Sequence, residues 1–197
     1  MKKVLVAALA LVSLTQAVKA QKGSVLLYGN LNVNSTKDAN DSKSSEFSVM
    51  PGIGYQFTDN WTAGVNLGVN GSKDEIGNSG NYNKTSGFVA GPFIRYTKTL
   101  GNIFSIYGHG NFNYMSTKYK PYVGTNSTVN GFNINITPAI GVNVINGFAL
   151  NFGFGGIDYT TSKLDASGAK SSNSFSLSFG QQVNVGISKN FGAGKKK

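Results

Sequence analysis

The chain has no cysteine, one histidine and one tryptophan, and only 13% of its residues are charged. Without cysteine there is neither a disulfide framework nor a thiolate metal site. One histidine and a few scattered carboxylates make no metal-ligand cluster, so no cofactor or metal is expected. Acids are scarcer than bases, 8 against 18, for a formal net charge of +10. Much of that excess sits at the ends, however. Lys2, Lys3 and Lys19 belong to the first twenty residues, and Lys195, Lys196 and Lys197 close the chain. No compact basic face interleaved with exposed aromatics remains, which argues against nucleic acid as a partner.

What is present begins with an address. Lys2 and Lys3 precede the apolar run "VLVAALALVSL", which gives way to "TQAVKA". A charged start, an apolar run too short to span a bilayer and a small-residue boundary make a secretory signal peptide over residues 1–20. Cleavage is expected between Ala20 and Gln21.

From there the chain alternates. In "FNINITPAIGVNV", Phe132, Ile134, Ile136, Pro138, Ile140, Val142 and Val144 share one face of a strand, and mostly Asn, Thr and Gly share the other. The same period of two recurs from Val25, Phe47, Trp61, Phe88, Phe104, Phe148 and Phe175, which makes eight strands and no convincing helix. The seventh drifts out of phase near Gly155-Gly156, where a bulge is expected. Short turns are expected near Asp59-Asn60, 99–102 and Asn146-Gly147, alternating with long polar loops at 34–45, 71–86, 116–131 and 160–173. Pro51, Pro92 and Pro138 each interrupt a strand descending to a short turn; a local bulge is expected beside each.

Which face meets which solvent decides the class. The polar faces carry Asn, Ser, Thr and Gly with little charge, whereas Lys and Asp gather in the polar loops. A surface washed by water over its whole height would not confine its charge to one end. The aromatics sort as well. Tyr55, Phe57, Trp61, Tyr96, Phe104, Phe148 and Phe191 lie on the apolar face near the short turns or the C-terminus. Phe47, Phe88, Phe112, Tyr114, Phe132 and Phe175 lie on it near the long loops. Two girdles about ten residues apart match a tilted strand crossing the hydrocarbon layer. The expected fold is therefore all-β: an eight-stranded antiparallel up-and-down transmembrane β-barrel over 21–191, with a Lys-rich tail at 192–197. A soluble lipocalin-like barrel has the same amphipathic strands and stays open as an alternative. Gln181 breaks the outward series of the eighth strand.

The hairpin "SVMPGIGYQFTDNWTAGVNLGV" and the near-terminal "VNVGISKNF" resemble the porin-like outer-membrane β-barrel-domain proteins of Gram-negative bacteria, over essentially all of 21–191. The resemblance implies an outer-membrane location among lipid and lipopolysaccharide. It also implies a terminal aromatic read by the barrel-assembly machinery. Phe191 matches that position, although "GAGKKK" follows it. An even strand number puts both termini on one side, and with the long loops outward that side is expected to be the periplasm. Oligomeric state is expected to be monomeric, and the partner of the extracellular loops is unidentified.

Five inward polar residues are candidates for a lumen site: Glu46 towards the loop end, Arg95 towards the turn end, and Gln56, Tyr107 and His109. Arg95 is expected to meet Tyr107, His109 or Gln56, with Glu46 too far off to pair. "YGHGNFNYMS" shows no nucleophile–base–orienter trio around His109, so no enzyme is expected, a lipid-modifying barrel enzyme being the lesser alternative. Inward glycines such as Gly52, Gly54 and Gly64 suggest incomplete filling. Tyr28, Tyr107, Phe93, Met50 and Arg95 are expected to block most of the lumen that remains, leaving room for water but no porin-sized channel. Two function classes follow. One is a non-enzymatic envelope or surface-interaction protein. The other is a narrow channel or small-ligand conduit.

Overall fold

The computed structural model describes residues 22–192 apart from Asn78, Asn102 and Asn146, and without the side chains of Ile145, Gln181 and Gln182. The leader, the Ala20/Gln21 boundary and the tail past Gly192 lie outside the described residues. Eight antiparallel strands follow one another in order: β1 (Val25–Lys37), β2 (Lys43–Gln56), β3 (Trp61–Glu75), β4 (Tyr82–Leu100), β5 (Phe104–Lys120), β6 (Ser127–Ile145), β7 (Phe148–Leu164) and β8 (Ser171–Phe191). They close into a barrel in which β8 returns to β1.

Its burial pattern is inverted relative to a water-soluble protein. The buried residues include Gln56, Asn66, Arg95, His109, Asn113 and Asn151, while Leu67, Ile94, Phe112 and Ile136 stand exposed. Apolar groups turned outward over a whole belt require an apolar solvent, and closure satisfies the backbone inside it. The turn-end aromatics lie in this outer layer. Trp61 pairs across the ladder with Tyr96, their rings 5.0 Å apart. Tyr55, Phe57 and Phe104 are exposed, and Phe148 and Phe191 half-buried.

The long loops are a correction. The connections at that end are only 38–42, 76–81, 121–126 and 165–170; most of the polar stretches 34–45, 71–86, 116–131 and 160–173 is paired strand. Polarity there marks immersion in water, not the end of the ladder, so the sheet runs on past the bilayer as projecting hairpins. β8, with 21 residues, is about twice what a membrane crossing needs. The lysines consequently stand on strands. Lys37, Lys43, Lys73, Lys84, Lys118, Lys120 and Lys163 continue the outward series and are exposed.

The prolines need a second correction. Pro51 and Pro92 keep the register on both sides; the ladder towards the following strand simply lapses for two residues, between Val49 and Gly52 and between Ala90 and Phe93. Only Pro138 stands at a register shift, opposite the irregular Gly153–Gly156 stretch of β7. A missing N–H removes one bond, and a two-residue gap absorbs that without an inserted residue.

The expected bulge near Gly155 is present, and its larger half lies on β8. Gly153 pairs with Asn184 and Gly155 with Phe179, so residues 180–183, Gln181 among them, face one residue of β7. Gly155 (φ 94°) and Gly180 (φ 74°) take the left-handed backbone that a side chain would resist. The bulge sits just above the last rung shared by β8 and β1. That seam holds only from Val25↔Phe191 to Gly29↔Ile187, whereas β1 pairs with β2 along all of Val25–Lys37. Bulges bend the strand that carries them. Above the seam, Leu31, Phe175 and Phe179 lack a neighbour on one side and are 68%, 68% and 73% exposed.

Candidate functional site

The alternation that sends Ile94 and Tyr96 outward sends Phe93 and Arg95 inward. On β5 it sends Tyr107, His109 and Asn111 to the same side. Register then decides who meets: Arg95 pairs with His109, and Phe93 with Asn111. Tyr28 of β1 and Asn66 of β3 reach across the lumen to the same group.

The contacts form one connected set. Arg95 Nε donates to His109 Nδ1 at 3.0 Å, so that nitrogen carries no proton. The ring's hydrogen then sits on Nε2, 2.9 Å from Asn111 Oδ1 and 3.0 Å from the Tyr28 hydroxyl. Tyr28 in turn donates to Asn66 Oδ1, and Asn66 Nδ2 donates to Asn111 Oδ1 at 2.6 Å. Donors and acceptors alternate along this chain of bonds. Rings close the gaps, with Phe93 stacked on His109 at 4.8 Å and edge-on to Tyr28 at 5.1 Å.

Arg95 is buried, yet no carboxylate pairs with it; the one ion pair among the described residues is Lys37–Asp41 at 2.5 Å on the rim. Its guanidinium instead lies over the rings of Tyr107 (4.3 Å) and Tyr28 (4.8 Å). Aromatic faces are electron-rich, and out of bulk water each contact is worth about 1–2 kcal/mol. Beneath it lies a cavity of about 50 Å³ lined by Gln56, Thr62, Ser105 and Asn151 among others. That is room, with polar partners, for a few water molecules and no solute.

Arg95, Tyr107 and His109 are thus brought together. Gln56 lines the cavity but bonds to Ser24 and to the Asp59 carbonyl, not to Arg95. Glu46 stands apart near the far end, accepting from Asn32 at 3.2 Å. Tyr28 and Phe93, expected to block the lumen, complete the cluster with Asn66 and Asn111, which the sequence did not single out. The signal for the two rings was the glycines. A Cβ on Gly52 would strike the Tyr28 ring, and one on Gly54 or Gly64 would come within 2.6 Å of the Phe93 ring. These glycines do not leave the lumen underfilled; they make space for the two rings that fill it. The arrangement can bar passage. His109 has Arg95, Tyr28 and Asn111 as its partners, and none is an activated nucleophile.

The outer membrane protein beta-barrel domain family matches residues 4–193. The chain belongs to that family. This outer-membrane barrel is similar in fold to solved structures at low identity. Neisserial surface protein A (NspA) is 12% identical, with 86% of this chain and 98% of that one covered at a TM-score of 0.45. The translocator domain of the autotransporter NalP from Neisseria meningitidis is 20% identical, with 88% and 64% covered at 0.46. A major outer membrane protein from Thermus thermophilus is 11% identical, with 87% and 100% covered at 0.39. None of the curated proteins matches it. Such distant likenesses transfer no activity; the outer-membrane assignment rests on the family match and on the inverted burial of the barrel.

Proposed function

We propose that this protein is a non-enzymatic outer-membrane barrel whose task is carried by its projecting hairpins at the cell surface, not by its lumen. The seal of Tyr28, Phe93, Arg95 and His109 is the observation that supports it most. An eight-stranded barrel has an interior about as wide as its side chains, and here three rings and a guanidinium fill one level of it. An even number of strands returns the chain to its starting side, and with the longer connections outside both termini lie in the periplasm. Four hairpins then stand outside, tall but with tips of five or six residues, suited to presenting rigid edges to a surface partner.

Planar-bilayer recording tests the reading. Wild-type protein should be silent. The double variant Phe93→Ala/Arg95→Ala should give small, stable events that favour cations, because the lumen charges left are Glu46, Asp74 and Asp158. Large conductance from the wild type, indifferent to these substitutions, would establish the channel alternative instead.

A further inference from the structure

At the outer end of the barrel, charge is sorted by facing. The acids Glu46, Asp74 and Asp158 occupy the inward series and bond to lumen-side Asn, Ser and Thr groups. The lysines occupy the outward series, which among the strand acids Glu75 shares. Lys37 pairs directly with Lys43, and Lys73 with Lys84, across the ladder. Like charges placed opposite each other destabilise a sheet; Asp41 relieves the first pair through Lys37, whereas the Lys73–Lys84 pair stands at a cost unless an anion lies over it.

The sorting also produces a shaped surface. Lys37, Lys43, Lys73 and Lys84 line a hollow of about 610 Å³ across β1–β4, with Tyr82 and serine hydroxyls between them and no carboxylate among the described residues of its lining. Two acids stand close by, one of them neutralising a lysine of the hollow. Asp41 pairs with Lys37, while Glu75 accepts the backbone N–H groups of Lys43 and Gly80. A neighbouring, smaller hollow shares Lys37 and Lys43 and brings Asp38, Asp74 and Glu75 beside them, so Lys73 and Lys84 are the two lysines that line no acid-bearing hollow. Height fixes what the hollow faces. Lys43 lies four residues above Phe47, Lys84 four below Phe88 in sequence and so equally far above it, and both aromatics are exposed in the outer girdle. At about 3.3 Å per residue along a tilted strand, that is roughly 10 Å above the hydrocarbon edge, the level of lipid headgroups.

We propose that this outward hollow binds the phosphorylated sugar headgroup of a glycolipid in the outer leaflet, the ammonium groups meeting its phosphates while Tyr82 and the serines meet its hydroxyls. The inference rests on the proposed orientation, hairpins outward. It fits a lipid better than a soluble anion because the hollow opens sideways, over the girdle that contacts acyl chains.

The test is native mass spectrometry of the full barrel in detergent, with diphosphorylated lipid A, the same lipid with its phosphates removed, phosphatidylglycerol and inorganic phosphate as probes. Lipid A should bind the wild type, and Lys43→Gln/Lys73→Gln/Lys84→Gln should weaken binding about a hundredfold, at roughly one factor of five per lysine. The corresponding triple arginine variant should restore it. Undiminished binding by the glutamine variant overturns the proposal, as does equal binding of dephosphorylated lipid A. Equal affinity for phosphatidylglycerol would reduce the site to a general anionic interface, and saturable binding of phosphate alone would remove the lipid; either result overturns the glycolipid assignment. Faster migration of unboiled protein in SDS verifies that each variant is folded. Protease clipping of the hairpin tips on intact cells tests orientation separately.

Discussion

Arg95 and His109 are directly opposite on neighbouring strands, and the guanidinium Nε points at the bare Nδ1 of the imidazole from 3.0 Å. This one bond fixes the histidine tautomer, and the tautomer makes Nε2 the donor towards Asn111 and Tyr28. Arg95→Met keeps the side chain's length and removes the donor, leaving a buried acceptor without a partner. Urea unfolding from lipid vesicles should show a loss of about 1–3 kcal/mol. Unchanged stability would mean that water takes over the bond at no cost.

The glycines opposite the lumen rings give a second expectation. Gly54→Val forces methyl groups into the Phe93 ring and should cost about 1–3 kcal/mol by the same measurement. Phe93→Ala in the same chain should return much of that loss. At Gly108 nothing lies within 4 Å of where an added methyl group would sit, so Gly108→Ala should behave as the wild type. Equal damage at Gly54 and Gly108 would contradict a filled lumen.

Lipid contact can be read on β6. Ile136 and Ile140 are exposed on the outer face, while Asn135 turns inward and bonds to Thr137 and to the Ile157 carbonyl. Ile136→Arg and Ile140→Arg should each destabilise the inserted barrel by about 2–4 kcal/mol near the midplane. Asn135→Arg escapes the lipid penalty, so its loss should be the smaller. A similar response at all three positions would contradict the facing of the strand.

The seam offers a test that the absence of native cysteine makes clean. Leu27→Cys with Lys189→Cys joins two residues that are paired between β1 and β8, and should form a disulfide readily. Leu31→Cys with Val185→Cys joins residues that would be paired only if the ladder continued, and should remain reduced under the same mild oxidation. Non-reducing electrophoresis distinguishes them. Efficient cross-linking of the upper pair would show the seam to be closed.

The strands, their facing and the bulge near Gly155 were legible because each is a local property, carried by alternation and by adjacent glycines. What the sequence left obscure depends on pairing between distant segments. Pro51 alone does not say whether its missing bond will be absorbed by an extra residue or by a gap. Gly54 alone does not show that Phe93, on another strand, will lie over it. The polar stretches looked like loops because Ser, Thr and Asn serve both a turn and a strand in water, and only register separates the two. Arg95 was readable as an inward residue that meets Tyr107, His109 or Gln56, and the β4–β5 register selects the first two.

The short β1–β8 seam bears on the order in which the molecule is made. Its five rungs join the two ends of the described chain, so they carry the greatest loop-closure entropy of any pairing and return the fewest bonds for it. The other seven hairpin ladders can each form from chain neighbours. Closure should therefore come last in folding and be the first step lost on unfolding, with an open, curled sheet as the state in between. Amides of Val25–Gly29 and Ile187–Phe191 should exchange hydrogen well before those of the β5–β6 ladder. The barrel then behaves as a sheet with a latch, and the latch is its least cooperative part.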